Sequence, residues 1–308
     1  MVHSSTLRIG SRGSQLALWQ ANHIAARLRE LGHEVAIEII RTTGDAMQSV
    51  SFAQVGTKGM FTKEIEEALI EERIDLAVHS LKDLPAMLTE PFALAAIPER
   101  ADPRDAFVSA HYESFAALPN GARVGTSSLR RQAQLKSLRR DLVFVEFRGN
   151  VDTRMRKLAE GQVEAIILAS AGLDRLGHSA EIGERFPALV LCPAAGQGAL
   201  AIETRAGDTE TMQVLRFLDD AAARFAVTAE RAALAGLGGG CQVPIGIHCE
   251  PTSEGYVIAG VVVSPDGSDL LRAELEHQSG LSAEALGERL AQQLLEQGAG
   301  RILQASLP

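Results

Sequence analysis

The hydrophobic period changes along the chain, and the change divides it. Over the first two thirds, short apolar runs alternate with segments of helical period. Leu7 to Ile9 reads as a strand. From Ser14 to Leu31, the residues Leu16, Trp19, Ile24, Leu28 and Leu31 share one helical face. Val35, Ile37 and Ile39 alternate as a strand. A helix is predicted over Phe61–Glu72, with Thr62 as its N-cap and Glu64, Glu66 and Glu67 near its positive end. Leu76–Val78 and Ala93–Ile97 read as buried strands.

A second unit repeats the pattern. Strands are predicted at Arg123–Gly125, Leu142–Phe147, Ala165–Ala169 and Leu189–Leu191, and helices at Ser128–Leu138 and Val151–Ala159. Two polar, Pro- or Gly-bearing segments, Ile97–Asp105 (IPERADPRD) and Pro193–Gly198 (PAAGQG), read as crossings between domains. After about Asp220 the pattern changes to a helix, Asp220–Ala235, then strands at Ile247–Cys249, Tyr256–Val263 and Leu270–Glu276, then a closing helix, Ser282–Gln297. Pro265-Asp266-Gly267 is the turn signal between the last two strands. The expectation is three domains: an α/β domain from residues 1–98 and 198–217, an α/β domain from 104–193, and a small α+β domain from 220–308. Two crossings imply a hinged pair with a cleft.

Composition narrows the function. The chain has 308 residues, 46% hydrophobic and 22% charged, as expected of a globular protein of two or three domains. Its net charge of −9 argues against a general nucleic-acid binder. Three cysteines (Cys192, Cys241, Cys249) are an odd number and form no disulfide framework. Cys192 and Cys249 sit in apolar runs and read as core. With no signal-like N-terminus and no membrane-length apolar run, the expected location is cytoplasmic.

Charge is unevenly placed. Between Gly125 and Arg156 there are eight Lys/Arg against three acids, a local positive site suited to a small anion. Three places share one design of strand, tight turn and Arg-bearing helix start. They are Arg12-Gly13-Ser14, then Thr126-Ser127-Ser128-Leu129-Arg130-Arg131, then Arg148-Gly149-Asn150 with Arg154 one turn on. Helix N-termini, hydroxyls and guanidinium forks are all anion donors. A single such turn would read as an N-cap with a solvated charge; three in one chain favour a ligand site. His79-Ser80-Leu81-Lys82-Asp83 follows the strand Leu76–Val78, which puts Lys82 and Asp83 at a similar rim. For His79 alone, a hydrogen-bonded core histidine is the simpler reading. Lys58 lies in a glycine-bounded loop. No metal-ligand spacing is present.

The loop Gly238-Gly239-Gly240-Cys241-Gln242-Val243-Pro244 clears side chains from around one thiol, so a large partner can approach Cys241. Together with RIGSRGSQLALWQ, GTKGMFTKEIEEAL, DLAVHSLKDLP, ADPRDAFV, GTSSLRRQAQL, FRGNVDTR, ILASAGLDRLG, PAAGQGAL and ERAALAGLGGGCQVPIG, the chain resembles the porphobilinogen deaminase family nearly end to end. The resemblance implies two domains like periplasmic binding proteins and a third carrying the cofactor cysteine. It implies a transferase of tetrapyrrole and heme biosynthesis that joins four porphobilinogen molecules head to tail, releasing ammonia and then hydroxymethylbilane. It also implies a dipyrromethane cofactor bound by a thioether to Cys241.

Carried over residue by residue, the family's catalytic aspartate is Asp83. Its cofactor pocket falls on Ser80, Lys82, Thr126, Ser127, Ser128, Arg130, Arg131 and Arg148. Its substrate-binding residues fall on Arg12, Ser14, Lys58, Arg148, Arg154 and Arg175. Gln54 and Thr57 depart from the pattern beside Lys58. A monomer that hands its product to uroporphyrinogen-III synthase is expected, with no membrane or nucleic-acid partner.

The chemistry fits these residues. Each substrate carries an acetate and a propionate, and arginine suits repeated bidentate capture of carboxylates. An ordinary carboxyl titrates near pH ~3.9, so a general acid at neutral pH would need a rise of about 3 units, roughly 4 kcal/mol. An ionised Asp83 that holds pyrrole N–H groups and steadies a cationic azafulvene needs no such rise. A finite cleft, opened by hinge movement, would stop growth at four additions. A non-enzymatic anion-binding protein would leave Cys241 without a role. A nucleic-acid binder using Arg130–Arg140 conflicts with the acidic total.

Overall fold

The computed structural model describes residues 6–42, 62–239, 243–277 and 279–305. In chain order the elements begin with β1 (Leu7–Ser11), α1 (Gln15–Glu30), β2 (Val35–Ile39), α2 (Lys63–Ile70), β3 (Leu76–Ser80) and β4 (Phe92–Ala96). Next come β5 (Asp105–Val108), β6 (Arg123–Gly125), α3 (Leu129–Leu138), β7 (Val143–Val145), α4 (Val151–Ala159), β8 (Ala165–Ala169), α5 (Ser170–Arg175) and β9 (Ile182–Arg185). The last third holds β10 (Leu200–Arg205), α6 (Thr209–Leu215), α7 (Ala221–Gly236), β11 (Ile245–Thr252), β12 (Gly255–Val263), β13 (Leu270–Glu276), α8 (Ala283–Glu296) and α9 (Ala299–Ala305).

The chain forms two compact units, Met1–Arg100 with Ala199–Arg224, and Ala101–Gly198 with Phe225–Pro308. Each contains a five-stranded mixed sheet of the same plan. In the first the order is β2-β1-β3-β10-β4, and in the second β7-β6-β8-β5-β9. The first three strands of each order are parallel, and the fourth runs antiparallel to the third. That fourth strand is where the chain arrives from a crossing. Its first residue therefore lies at the carboxyl end of the third strand. Leu200 pairs with Ser80, and Asp105 pairs with Ala169.

Helices cover both faces of the first sheet. Ile24 and Leu28 of α1 pack with Ile9, Leu76, Val78 and Ile202, while Ile65 and Leu69 of α2 pack with Ile40, Ile74 and Ala77. In the second unit, one face gathers Phe107, Val124, Leu135 and Ile167, the other Val108, Phe147, Ile166 and Leu168. The remaining part is the antiparallel sheet β11-β12-β13, whose core includes Ile247, Ile258, Leu286 and Leu290.

Three expectations are corrected. Leu189–Leu191 is a turn, not a strand. Val190 and Leu191 both donate backbone N–H groups to the Pro187 carbonyl, and Leu189 and Val190 are exposed. Thr62 occupies the N-cap position of α2 but makes no capping bond. Its backbone is helical rather than extended, and its hydroxyl engages the Glu66 carboxyl instead. Cys192 is buried as expected but lies in a loop; Cys249 is buried in β11. The strands β5, β9 and β10 and the helices α5, α6 and α9 are additions to the sequence reading.

Candidate functional site

In an open α/β sheet, ligands bind beyond the carboxyl ends of the parallel strands. In the second unit three turns meet there. Ser128 caps α3 by accepting from Arg131 N at 3.4 Å, and Asn150 caps α4 by accepting from Thr153 N at 2.9 Å. Thr126 Oγ1 accepts from Ser128 N, and Ser127 Oγ accepts from Phe147 N at 3.0 Å. With an acceptor side of each hydroxyl used, the hydroxyl hydrogen is the donor it offers an anion. Gly149, at φ 121°, makes the turn before α4. Lys157 Nζ lies 5.6 Å from the Phe147 ring centre and donates to the Arg148 carbonyl, bracing that turn.

Arg130 and Arg131 are both buried, and Asp105 lies between them. Arg130 Nη1 donates to Asp105 Oδ2 at 2.7 Å and to the Cys192 carbonyl at 2.6 Å. Arg131 donates to Asp105 Oδ1 from Nε at 2.9 Å and Nη2 at 2.7 Å, and from Nη1 to the Ile167 carbonyl. Gln197 Nε2 adds a bond to Asp105 Oδ1 at 2.9 Å. Burial pushes the Asp105 carboxyl up, but the two guanidiniums overcome it and hold it far below the usual carboxylate range.

Arg154 carries an unmet demand. Its Nε is shielded from solvent and has no hydrogen-bond partner among the described residues. Burial, then the charges of Arg131 and Arg148, push its pKa down to about 10. Arg148 pairs with Glu146. Arg175, on α5, donates from Nη2 to the Gly198 carbonyl at 2.8 Å, and burial lowers it to about 10. The turns thus bring together Thr126, Ser127, Ser128, Arg130, Arg131, Arg148 and Arg154 as a cationic, hydroxyl-lined site.

In the first unit β1 and β3 are parallel neighbours, so Arg12 and the Ser80–Asp83 turn share one rim. Ser14 caps α1, accepting from Ala17 N at 3.3 Å. Lys82 and Asp83 sit in a 3-10 turn anchored by buried Leu81, whose N–H donates to the Ala199 carbonyl just before β10. Asp83 is exposed and Lys82 half-buried. Gln20 Nε2 donates to Ser80 Oγ at 2.8 Å from α1. His79 is a buried, hydrogen-bonded histidine whose Nε2 lies 2.9 Å from Glu203 Oε2.

Lys58, Gln54, Thr57 and Cys241 lie outside the described residues. On α7, Glu230 ties the Pro193–Gly198 crossing to β11. Its carboxylate is fully buried and accepts from Gly196 N at 2.6 Å and Cys249 N at 2.7 Å. Gln20, Asp105, Gln197 and Glu230 were missed as site residues in the sequence. None carried a local signal there; the pattern placed Asp105 in the crossing Ile97–Asp105.

The arrangement suits a ligand with several carboxylates. It offers paired cations, hydroxyl donors, helix N-termini and one orphaned guanidinium N–H. Among the described residues no group of three His, Cys, Asp or Glu is placed to hold a metal ion.

Comparison with known proteins agrees in character. Residues 7–213 match the model "Porphobilinogen deaminase, dipyromethane cofactor binding domain", and residues 224–296 match "Porphobilinogen deaminase, C-terminal domain". A porphobilinogen deaminase of Nitratidesulfovibrio vulgaris (strain DSM 19637 / Miyazaki F) is 50% identical over 303 residues, covering 96% of each chain. One from Syntrophotalea carbinolica is 49% identical over 304 residues, covering 98% of this chain and 96% of that one. Among solved structures, a periplasmic substrate-binding protein of an ABC transporter from Coxiella burnetii aligns at 15% identity and a TM-score of 0.42, over 71% of this chain and 94% of that one.

Proposed function

The chain belongs to the porphobilinogen deaminase family, and from that premise we propose a residue-level account of how it joins four porphobilinogen molecules into hydroxymethylbilane with release of ammonia. It is a transferase of tetrapyrrole biosynthesis, and its cofactor is dipyrromethane. When bound, that group supplies a fixed pyrrole primer with carboxylate side chains. The observation that carries the residue assignment is the buried cationic turn cluster, whose Arg154 Nε has no hydrogen-bond partner among the described residues and calls for an anion.

Cys241 holds the primer by a thioether. Ser80, Lys82, Thr126, Ser127, Ser128, Arg130, Arg131 and Arg148 hold its carboxylates. Arg12, Ser14, Lys58, Arg148, Arg154 and Arg175 receive the carboxylates of incoming substrate. A hydrogen bond to a charged group contributes about 1.5–3 kcal/mol, so a few such contacts bind a polyanion without a deep apolar pocket. Asp83 works as a carboxylate at the exposed rim, accepting pyrrole N–H bonds and stabilising positive charge on the activated substrate. Residues 220–308 act as the domain that presents Cys241.

No helix among the described residues is long and apolar enough to cross a membrane. We read the chain as a cytoplasmic monomer that hands its product to uroporphyrinogen-III synthase. Intact mass of the purified chain tests the account. A mass above the sequence by two pyrrole units, lost in Cys241→Ser together with turnover of porphobilinogen, is expected. An unmodified chain that consumes no porphobilinogen overturns it.

A further inference from the structure

The two arginines at the start of α3 share a single buried acid, and that acid starts β5. Because β5 runs antiparallel to β8, its first residue is delivered to the end of the sheet where the anion-binding turns sit. Asp105 is fully buried, and both its oxygens are used. Three of the donors it accepts from are N–H groups of Arg130 and Arg131, and a fourth is Gln197 Nε2.

We propose that Asp105 is a positioning residue for cofactor capture: it fixes the planes of Arg130 and Arg131 and ties both to the segments by which the chain crosses between its units. The inference rests on the functional reading above. Arg131 spends its Nε–Nη2 edge on Asp105 and its Nη1 on Ile167. It thereby becomes a fixed cation rather than a mobile fork. Arg130 spends only Nη1, on Asp105 and Cys192, and its Nε–Nη2 edge makes none of these bonds. That edge is the one left to a carboxylate. Two cations against one acid leave the cluster positive, so an anion is still favoured after Asp105 has been counted.

The same acid reaches both crossings. Gln197 Nε2 donates to Asp105 Oδ1 and, at 2.7 Å, to the Pro103 carbonyl. Ala101 N donates to the Gly198 carbonyl, which also accepts from Arg175. The crossing strands are therefore cross-tied beside the arginines.

The test reads cofactor loading by intact mass, on chains shown to be folded by circular dichroism. The wild-type chain as purified carries the added mass, and its cofactor-free form gains it on incubation with porphobilinogen. Folded Asp105→Asn gains it at least tenfold more slowly. Gln197→Ala keeps all three charged groups, and is expected to load about threefold more slowly even if Asp105→Asn fails to fold. In the double variant the two effects do not multiply, because both act through one network. Loading at the wild-type rate by Gln197→Ala, or by folded Asp105→Asn, overturns the proposal, as does a fully multiplicative double variant. Absence of the added mass from the wild-type chain instead overturns the functional reading, and the inference with it.

Discussion

His79 Nε2 and Glu203 Oε2 lie 2.9 Å apart on adjacent antiparallel strands, both side chains buried directly behind the turn that carries Lys82 and Asp83. The other carboxylate oxygen, Glu203 Oε1, is buried with no hydrogen-bond partner among the described residues. Glu66 lies near enough that burial first, and then the Glu203 charge, raise its pKa. His79 and Ser80 are successive strand residues and so face opposite sides of the sheet. Glu203 holds one side and Gln20 the other.

Glu203→Ala is expected to leave His79 buried without its partner, at a cost of about 1–3 kcal/mol. Urea unfolding followed by circular dichroism checks this. The midpoint falls while the slope stays constant. Glu203→Gln, which keeps a hydrogen-bonding group in place, loses less. An unchanged midpoint in Glu203→Ala would show the pair to be idle.

Asp83→Asn keeps the shape of the rim and removes the charge. Loss of one preorganised electrostatic stabiliser lowers kcat by about 10²–10³-fold. KM changes little, because the carboxylates of the substrate are held by arginines. The cofactor mass is retained, which separates a chemical role from failed assembly. Near-normal turnover in Asp83→Asn would remove this residue from the mechanism.

Asp105 makes stability depend on acid pH. Its carboxyl is held low in the folded chain, against about 3.9 for an ordinary aspartate, so near and below that value the unfolded chain binds the extra proton. The stabilisation is whole above about pH 5 and is lost as pH falls below about 4 toward the folded value. At pH 7, Asp105→Asn leaves two buried guanidiniums without their counter-charge and costs about 3–5 kcal/mol. The gap between wild type and Asp105→Asn therefore narrows as denaturation is repeated from pH 7 to pH 3. Asp102 and Asp174, also held low, are present in both chains and cancel in the comparison. A gap that stayed constant with pH would assign the loss to packing alone.

The helix starts were legible because their signal is local. Ser14, Ser128 and Asn150 stand at helix starts read from the pattern, and each accepts a capping backbone N–H, the role weighed in the sequence as the alternative to a ligand site. Asp105 and Gln197 were not legible, because their partners are 25 to 94 positions away along the chain. The strand β5 was hidden for a related reason. Its first residue is an acid following a Pro-bearing polar run, so pattern alone assigned Asp105 to the crossing. At Leu189–Leu191 the opposite error arose: three apolar residues suggest a strand, yet local i+3 and i+4 bonds to the Pro187 carbonyl fold them into a turn.

Arg154 places binding and stability in opposition. Its burial beside Arg131 and Arg148 lowers its pKa to about 10, so below about pH 10 the folded chain bears the cost of a poorly solvated cation. Arg154→Met removes that cost and the orphaned Nε. In the cofactor-free chain it is expected to raise stability by about 1–3 kcal/mol. The same variant binds substrate less well, seen as a higher KM for porphobilinogen. A destabilised cofactor-free Arg154→Met would mean that the guanidinium is satisfied and the anion demand misread.

Gly198 is the last residue of the second crossing before β10, and its backbone is set by what packs on it. Its φ is +88°, a left-handed conformation that side chains other than glycine adopt at a cost. A Cβ there would also collide with the carbonyl oxygen of Ala101 on the first crossing. The obstacle is backbone, so it cannot rotate away as a side chain would. Gly198→Ala must therefore part the two crossings or twist its own carbonyl, which accepts from both Ala101 N and Arg175 Nη2. Strain of this kind costs on the order of 1–3 kcal/mol. Because Arg175 loses its anchor, the variant also shows a raised KM for porphobilinogen, whereas a purely local strain would lower only the thermal midpoint. Unfolding and steady-state kinetics on the same preparation distinguish the two, and a wild-type KM in a destabilised Gly198→Ala would detach Arg175 from the crossing.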